Sequence, residues 1–166
     1  ENYKTKDGRS WNNNYVIYDD SDTKTLIKNI LKDFNLDEKV YDHKSIKTAI
    51  SNAKNKMQDA YKYATSAKDY YSEKVSQIYY EYEKRLALNN ALDFDDMLML
   101  AVNLLKENEE VRKKYENRFQ HILCDEFQDT NKAQYDLINM LYPPNSPKDE
   151  TGSLMAVGDV DQSIYS

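Results

Sequence analysis

The sequence predicts a mainly α-helical chain with a small α/β part toward its C-terminal end. Three observations carry this reading. Glycine and proline number only three each in 166 residues, which favours long helices over tight turns. Apolar residues recur every three or four positions through the first two thirds. In the last third, two short continuous apolar runs, Ile122-Leu123-Cys124 and Leu154-Met155-Ala156-Val157, flank a helical stretch. That is the pattern of buried parallel strands joined through a helix.

The elements follow in order. Residues 1–20 are polar and asparagine-rich, with Tyr15-Val16-Ile17-Tyr18 as a candidate strand, and are expected to be loose or to lean on further sequence. Asp20, Ser21 or Asp22 is placed to cap a helix carrying Leu26, Ile27, Ile30, Leu31 and Phe34 at helical spacing. A second helix from about Lys44 aligns Ile46, Ala49, Ile50, Ala53 and Met57. A third is expected over roughly residues 66–89. Its apolar stripe is Tyr71, Val75, Ile78, Tyr82 and Leu86, and its solvated face carries Lys74, Glu81, Glu83 and Lys84. The tyrosines read as core residues with hydroxyls reaching water, in preference to base-stacking residues.

Asp93-Phe94-Asp95-Asp96 looks like a helix start, since acids in the first turn suit the helix dipole. Met97, Leu98, Leu100, Ala101, Leu104 and Leu105 continue it, and a short charged helix follows over residues 109–117. After the first apolar strand, Thr130 or Asn131 caps a helix containing Ala133, Tyr135, Leu137, Ile138 and Leu141. Pro143, Pro144 and Pro147 end it, and the second strand stops at Gly158-Asp159.

A 40% hydrophobic content supports one ordinary core. The net charge of −6 and pI near 5.0 argue against a dedicated duplex-DNA reader, which usually has a basic face. The single cysteine, Cys124, excludes an internal disulfide and a cysteine-based zinc site. It reads as a small buried hydrophobe in a reducing, cytoplasmic setting. No stretch approaches the roughly 20 apolar residues of a membrane helix, and no charged-then-apolar leader opens the chain. Glu1 in place of Met suggests a piece of a longer protein.

Both apolar strands end in acids. The first runs into Asp125-Glu126, the second into Gly158-Asp159-Val160-Asp161-Gln162. Open α/β sheets bind ligands at the carboxyl ends of their strands. One carboxylate with substrate phosphates suffices for Mg²⁺, which prefers oxygen ligands and keeps several waters. The neighbouring acid can polarise a water for attack on phosphorus, and a nearby glutamine can bond a phosphate oxygen. One apolar strand ending in Asp-Glu is a weak signal, since many strands end in acids for solubility. Two such ends separated by one helix are stronger.

The order of motifs is more specific. Asp125-Glu126-Phe127-Gln128-Asp129-Thr130-Asn131 resembles the Walker B segment, motif II, of the UvrD/Rep/PcrA family of superfamily 1 DNA helicases. Gly158-Asp159-Val160-Asp161-Gln162-Ser163-Ile164-Tyr165 resembles the same family's motif III. Ala133-Gln134-Tyr135, Leu92-Asp93-Phe94-Asp95-Asp96-Met97-Leu98 and Ile50-Ser51-Asn52-Ala53-Lys54-Asn55 fit as well, so the resemblance covers residues 15–166.

The resemblance implies a helical insertion over residues 21–90, after the polar segment 1–20. It implies an incomplete RecA-like, P-loop NTPase parallel sheet over 91–166. It also implies an ATP-dependent 3′ to 5′ DNA helicase, acting on single-stranded and junction DNA in repair or replication, with ATP and Mg²⁺. Asp125 would hold Mg²⁺ and Glu126 would act as general base. Gln162 would sense the γ-phosphate, and Tyr165 would stack on a DNA base. Gln128 and Asp129 are expected to link the nucleotide and DNA sites, and Asp159 and Asp161 to shape the loop. For Asp93, Asp95 and Asp96, helix capping and DNA or inter-domain contact stand equally open.

No Gly-x-x-x-x-Gly-Lys-Ser/Thr phosphate loop occurs in the sequence, and the family's adenine-recognition glutamine segment is missing too. The chain alone is therefore expected neither to hydrolyse ATP nor to unwind DNA. Three other readings compete: the helicase–nuclease subunit of recombinational repair, which shares motifs II and III; a non-catalytic helical interaction module whose acids are surface features; and a divergent, ATPase-dead homologue, against which the intact Asp125-Glu126 and Gln162 count.

Overall fold

The computed structural model describes residues 4, 5, 8–144 and 152–159. By its internal contacts the chain divides into two units, Glu1–Met97 and Leu98–Ser166.

The first unit is helical around a two-strand clasp. β1 (Val16–Ile17) pairs in parallel with β2 (Ala91–Leu92), and between them run α1 (Asp20–Asp33), α2 (His43–Asn55), α3 (Ala60–Ser66) and α4 (Tyr70–Leu88). Aspartates set the helix starts. Asp19 forms a reciprocal capping box with Asp22, Asp69 forms one with Ser72, and Asp42 and Asp59 accept the backbone N–H of Ser45 and Lys62. Each such cap is worth about 1 kcal/mol. The cap of α1 is thus one residue earlier than the sequence reading placed it. The helix expected over roughly 66–89 is α4, which starts at its cap Asp69, and the short helix α3 before it, ending at its cap Ala67, was not foreseen.

The periodic apolar faces meet as expected. Ile27, Ile30 and Leu31 of α1 pack with Ile46 and Ile50 of α2 and with Val75, Ile78, Tyr82 and Leu86 of α4. Each such side chain contributes roughly 1.5–3 kcal/mol of burial. Tyr71 sits at the margin of the stripe, 39% exposed and stacked on Tyr41. The opening segment is not loose from Trp11 onward. That indole is buried and donates to the Ala91 carbonyl at 2.8 Å, while Val16 and Tyr18 donate to Asn90 and Leu92.

One cluster departs from the amphipathic pattern. Glu83, assigned by periodicity to the solvated face, is buried. Its partner is Lys54, which is fully buried and whose Nζ lies 2.7 Å from Glu83, 2.7 Å from Asp93 and 2.6 Å from Asp96. Arg9 pairs with the other oxygen of Glu83. Asp93 and Asp96 also bond each other's backbone N–H groups. They therefore cap the start of α5 (Phe94–Glu107) and pin it to α2 and α4. The tyrosine hydroxyls here reach protein, not water. Tyr82 donates to Asp93 at 2.9 Å, and Tyr79 to the Gln58 carbonyl at 3.0 Å. Water is excluded from these positions, so the hydroxyls need internal acceptors.

Burial penalises the charge on Lys54, but the surrounding Asp96, Glu83 and Asp93 carboxylates outweigh it and hold its pKa well above the usual lysine range. Asp93 is penalised by burial but held below the usual range by Lys54 and its hydrogen bonds. Asp96, pressed by burial and then by the charge of Glu83, is pushed up to about 8. Three acids face two cations here, which leaves one carboxyl the natural carrier of a proton.

In the second unit, α6 (Glu109–Arg118) leads into β3 (His121–Cys124). A single 3₁₀ turn (Phe127–Asp129) and α7 (Lys132–Leu141) follow, and then β4 (Ser153–Ala156). Asn131 caps α7 in a reciprocal box with Gln134. β3 and β4 pair in parallel, with His121 opposite Ser153 and Cys124 opposite Ala156. Strand type and direction are as the sequence predicts, but burial is not. Leu123 is 74% exposed, Cys124 is half-buried, and Met155 is 55% exposed. A parallel strand is buried only when helices or further strands cover it, and among the described residues this sheet has two strands. No helix among the described residues is long and apolar enough to cross a membrane.

Candidate active site

The carboxyl edge of the β3–β4 pair gathers the acids. After Cys124 the chain turns sharply: Glu126 adopts the left-handed conformation, φ 50° and ψ 43°. That costs roughly 1–2 kcal/mol for an L-residue with a full side chain. The turn is fixed on both sides. Val157 N–H donates to the Cys124 carbonyl at 2.8 Å, and Phe127 N–H donates to the Val157 carbonyl at 2.9 Å. Asp129 N–H donates back to the Glu126 carbonyl. Two loops from distant parts of the chain are thereby held together at one edge.

The side chains extend this lacing. Asp125 accepts the Glu126 N–H through Oδ1 at 2.9 Å, and Asp125, Glu126 and Asp129 are all exposed. Gln128 Nε2 donates to Glu126 Oε2 at 2.6 Å, and Gln128 Oε1 accepts the Asp159 N–H at 3.0 Å. Gly158 permits this approach, since a Cβ there would lie 2.6 Å from Gln128 Oε1 and 3.2 Å from its backbone nitrogen. Beside the acids opens a cleft of about 350 Å³, lined by Cys124, Asp125, Glu126, Asp129, Thr130, Gln134, Leu137 and Ile138.

Of the residues singled out from the sequence, Asp125 and Glu126 stand together at this edge with Gln128, Asp129 and Asp159. Gln162, Tyr165 and Asp161 lie outside the described residues. Asp93 and Asp96 belong to the buried Lys54 cluster of the first unit. Asp95 beside them bonds Ser51, with its carboxyl pushed up by burial. The cluster's cation, Lys54, escaped the sequence reading as an ion partner. Its phrase, Ile50 to Asn55, was noticed only as a family match.

Asp125, Glu126 and Asp129 offer carboxylate oxygens at the edge, and Asp125 Oδ2 has no protein hydrogen-bond partner among the described residues. No group of three or more His, Cys, Asp or Glu side chains among the described residues is arranged to hold a metal ion alone. Carboxylate oxygens are the donors that a hard cation such as Mg²⁺ prefers.

The sequence model of the UvrD/REP helicase N-terminal domain matches residues 1–166. The chain is 44% identical over 155 residues to the ATP-dependent DNA helicase PcrA of Staphylococcus aureus strain Mu50. It is 42% identical over 154 residues to that of Bacillus subtilis strain 168, and 41% over 152 residues to that of Staphylococcus epidermidis. These alignments take in 92–93% of this chain and 20% of each relative, so the chain spans about a fifth of their length. The resemblance carried by the two strand-end motifs is borne out: the chain belongs to the UvrD/REP helicase N-terminal domain family.

Proposed function

We propose that this chain is part of an ATP-dependent DNA helicase and carries one side of its nucleotide site. The observation that supports this best is the shared edge, where two parallel strands from separate motifs deliver Asp125-Glu126 and Gly158-Asp159 to one place. In this reading residues 91–166 belong to a P-loop, RecA-like sheet, and residues 21–90 form its helical insertion. The exposed faces of β3 and β4 then pack against the rest of that domain.

Asp125 would hold Mg²⁺, through the carboxylate oxygen that bonds no protein group among the described residues. Bound there with ATP, Mg²⁺ would neutralise charge developing on the phosphate oxygens. Glu126 accepts a proton from the attacking water, a role for which its exposed carboxylate needs to be ionised and aimed. Gln162 senses the γ-phosphate, and Tyr165 stacks on a base of single-stranded DNA. Coupling these sites would drive 3′ to 5′ translocation and unwinding in repair or replication. The setting is cytoplasmic.

The test is Glu126→Gln in the full-length protein. ATP binding should survive while DNA-stimulated turnover falls by two orders of magnitude or more, because general-base catalysis contributes on the order of 10²–10⁴-fold. Unchanged turnover would remove Glu126 from the mechanism.

A further inference from the structure

We propose that Gln128 is a positioning residue that aims the Glu126 carboxylate and ties its aim to the loop after β4. This rests on the reading of Glu126 as general base and adds a residue to it. Among the described residues, Gln128 is the only side chain bonded to the Glu126 carboxylate, at 2.6 Å. Its other end accepts the Asp159 N–H at 3.0 Å.

The two bonds fix the orientation of the amide. Only the NH₂ can donate to a carboxylate, and only the carbonyl can accept from a backbone N–H. A flipped amide would lose both bonds, so Gln128 is a directional link. Its slot exists because position 158 has no side chain: a Cβ would fall 2.6 Å from Gln128 Oε1. Backbone hydrogen bonds tie the left-handed turn at Glu126 to Val157, and the Gln128 amide carries the link on to the Glu126 side chain.

Two consequences follow. The donated hydrogen bond holds one carboxylate oxygen in place and leaves the other for water. A displacement of the segment 158–159 would also pull Gln128 and turn the base.

The experiment places Gln128→Ala, Gln128→Glu and Gly158→Ala in the full-length protein, with Glu126→Gln alongside. Gln128→Ala should lower kcat for ATP about 10- to 100-fold with KM nearly unchanged, since a misplacement of about 1 Å can cost on the order of 100-fold. Gly158→Ala should give the same kcat loss with both partners chemically intact, by expelling the amide. Gln128→Glu, whose carboxylate has no hydrogen to donate to Glu126 and repels it, should lower kcat at least as far, again with KM nearly unchanged. With kcat taken per ATP-binding site, these values do not depend on how much of a variant folds. If Glu126→Gln loses turnover while Gln128→Ala or Gln128→Glu keeps wild-type kcat, the positioning role is wrong. If Glu126→Gln itself keeps turnover, the base assignment fails first.

Discussion

Replacing Lys54 by methionine isolates the buried ion cluster from ordinary packing. Methionine keeps an unbranched apolar stem and removes the ammonium group with its charge and its hydrogen-bond donors. Lys54 is fully buried with three carboxylates within 2.7 Å of its Nζ, and the ring of Tyr82 lies 5.1 Å from it. Removing one partner of a buried pair costs about 3–5 kcal/mol, because the remaining charge is stranded. Here Asp93 and Asp96 lose their cation, while Glu83 keeps Arg9. Proton uptake caps the penalty, so the same range is expected. A unit the size of Glu1–Met97 has roughly 5–15 kcal/mol to lose. With an unfolding slope of about 1–3 kcal/mol per molar urea, the midpoint should fall by on the order of 1–5 M. Circular dichroism of the 166-residue chain in urea at neutral pH reads this directly. The deficit should shrink toward pH 4 as the freed carboxylates take up protons. A midpoint shift below about 0.5 M, or a deficit that does not change with pH, would show that the cluster does not hold the helices together.

Asp96 makes a signed prediction. Its folded pKa is raised from 3.8 to about 8, so its contribution is complete below 3.8 and is lost as pH rises through about 8. The neighbouring Asp93 is shifted down, so its contribution is lost only as pH falls below the ordinary aspartate value. Thermal midpoints of the wild type should therefore decline from pH 5 to 8.5, and Asp96→Asn should flatten that decline; an equally steep Asn variant would refute it. The purified 166-residue chain should show no DNA-stimulated, magnesium-dependent ATPase activity, because its sequence holds no phosphate loop. Measurable phosphate release above background would overturn that.

The helices were legible because their cause is local. Spacing of three and four in α1, α2 and α4, with an aspartate or asparagine at the start, needs no distant partner to be read. Glu83 was misplaced for the opposite reason. Its environment is set by Lys54 on α2 and Arg9 near the N-terminus, neither of which periodicity along α4 can reveal. β2 was missed because two residues are too short to show alternation, and only pairing with β1 defines it. At the site, Asp125 and Glu126 could be read from one stretch of sequence. The bridge from Gln128 to Asp159 could not, because it depends on the register of β3 against β4 and on the bare Cα of Gly158.

The left-handed backbone of Glu126 sets a conflict between durability and chemistry. Position 126 is one where the main chain alone would choose glycine or asparagine. A carboxylate sits there against that preference, held by hydrogen bonds from the neighbouring loop. Any selection for thermal stability alone would press this site toward the smaller residue and discard the proposed base, with the fold improved and no outward sign of the loss. Stabilised versions of such chains should therefore be screened for turnover at every round, because here the strain and the reactive group occupy the same residue.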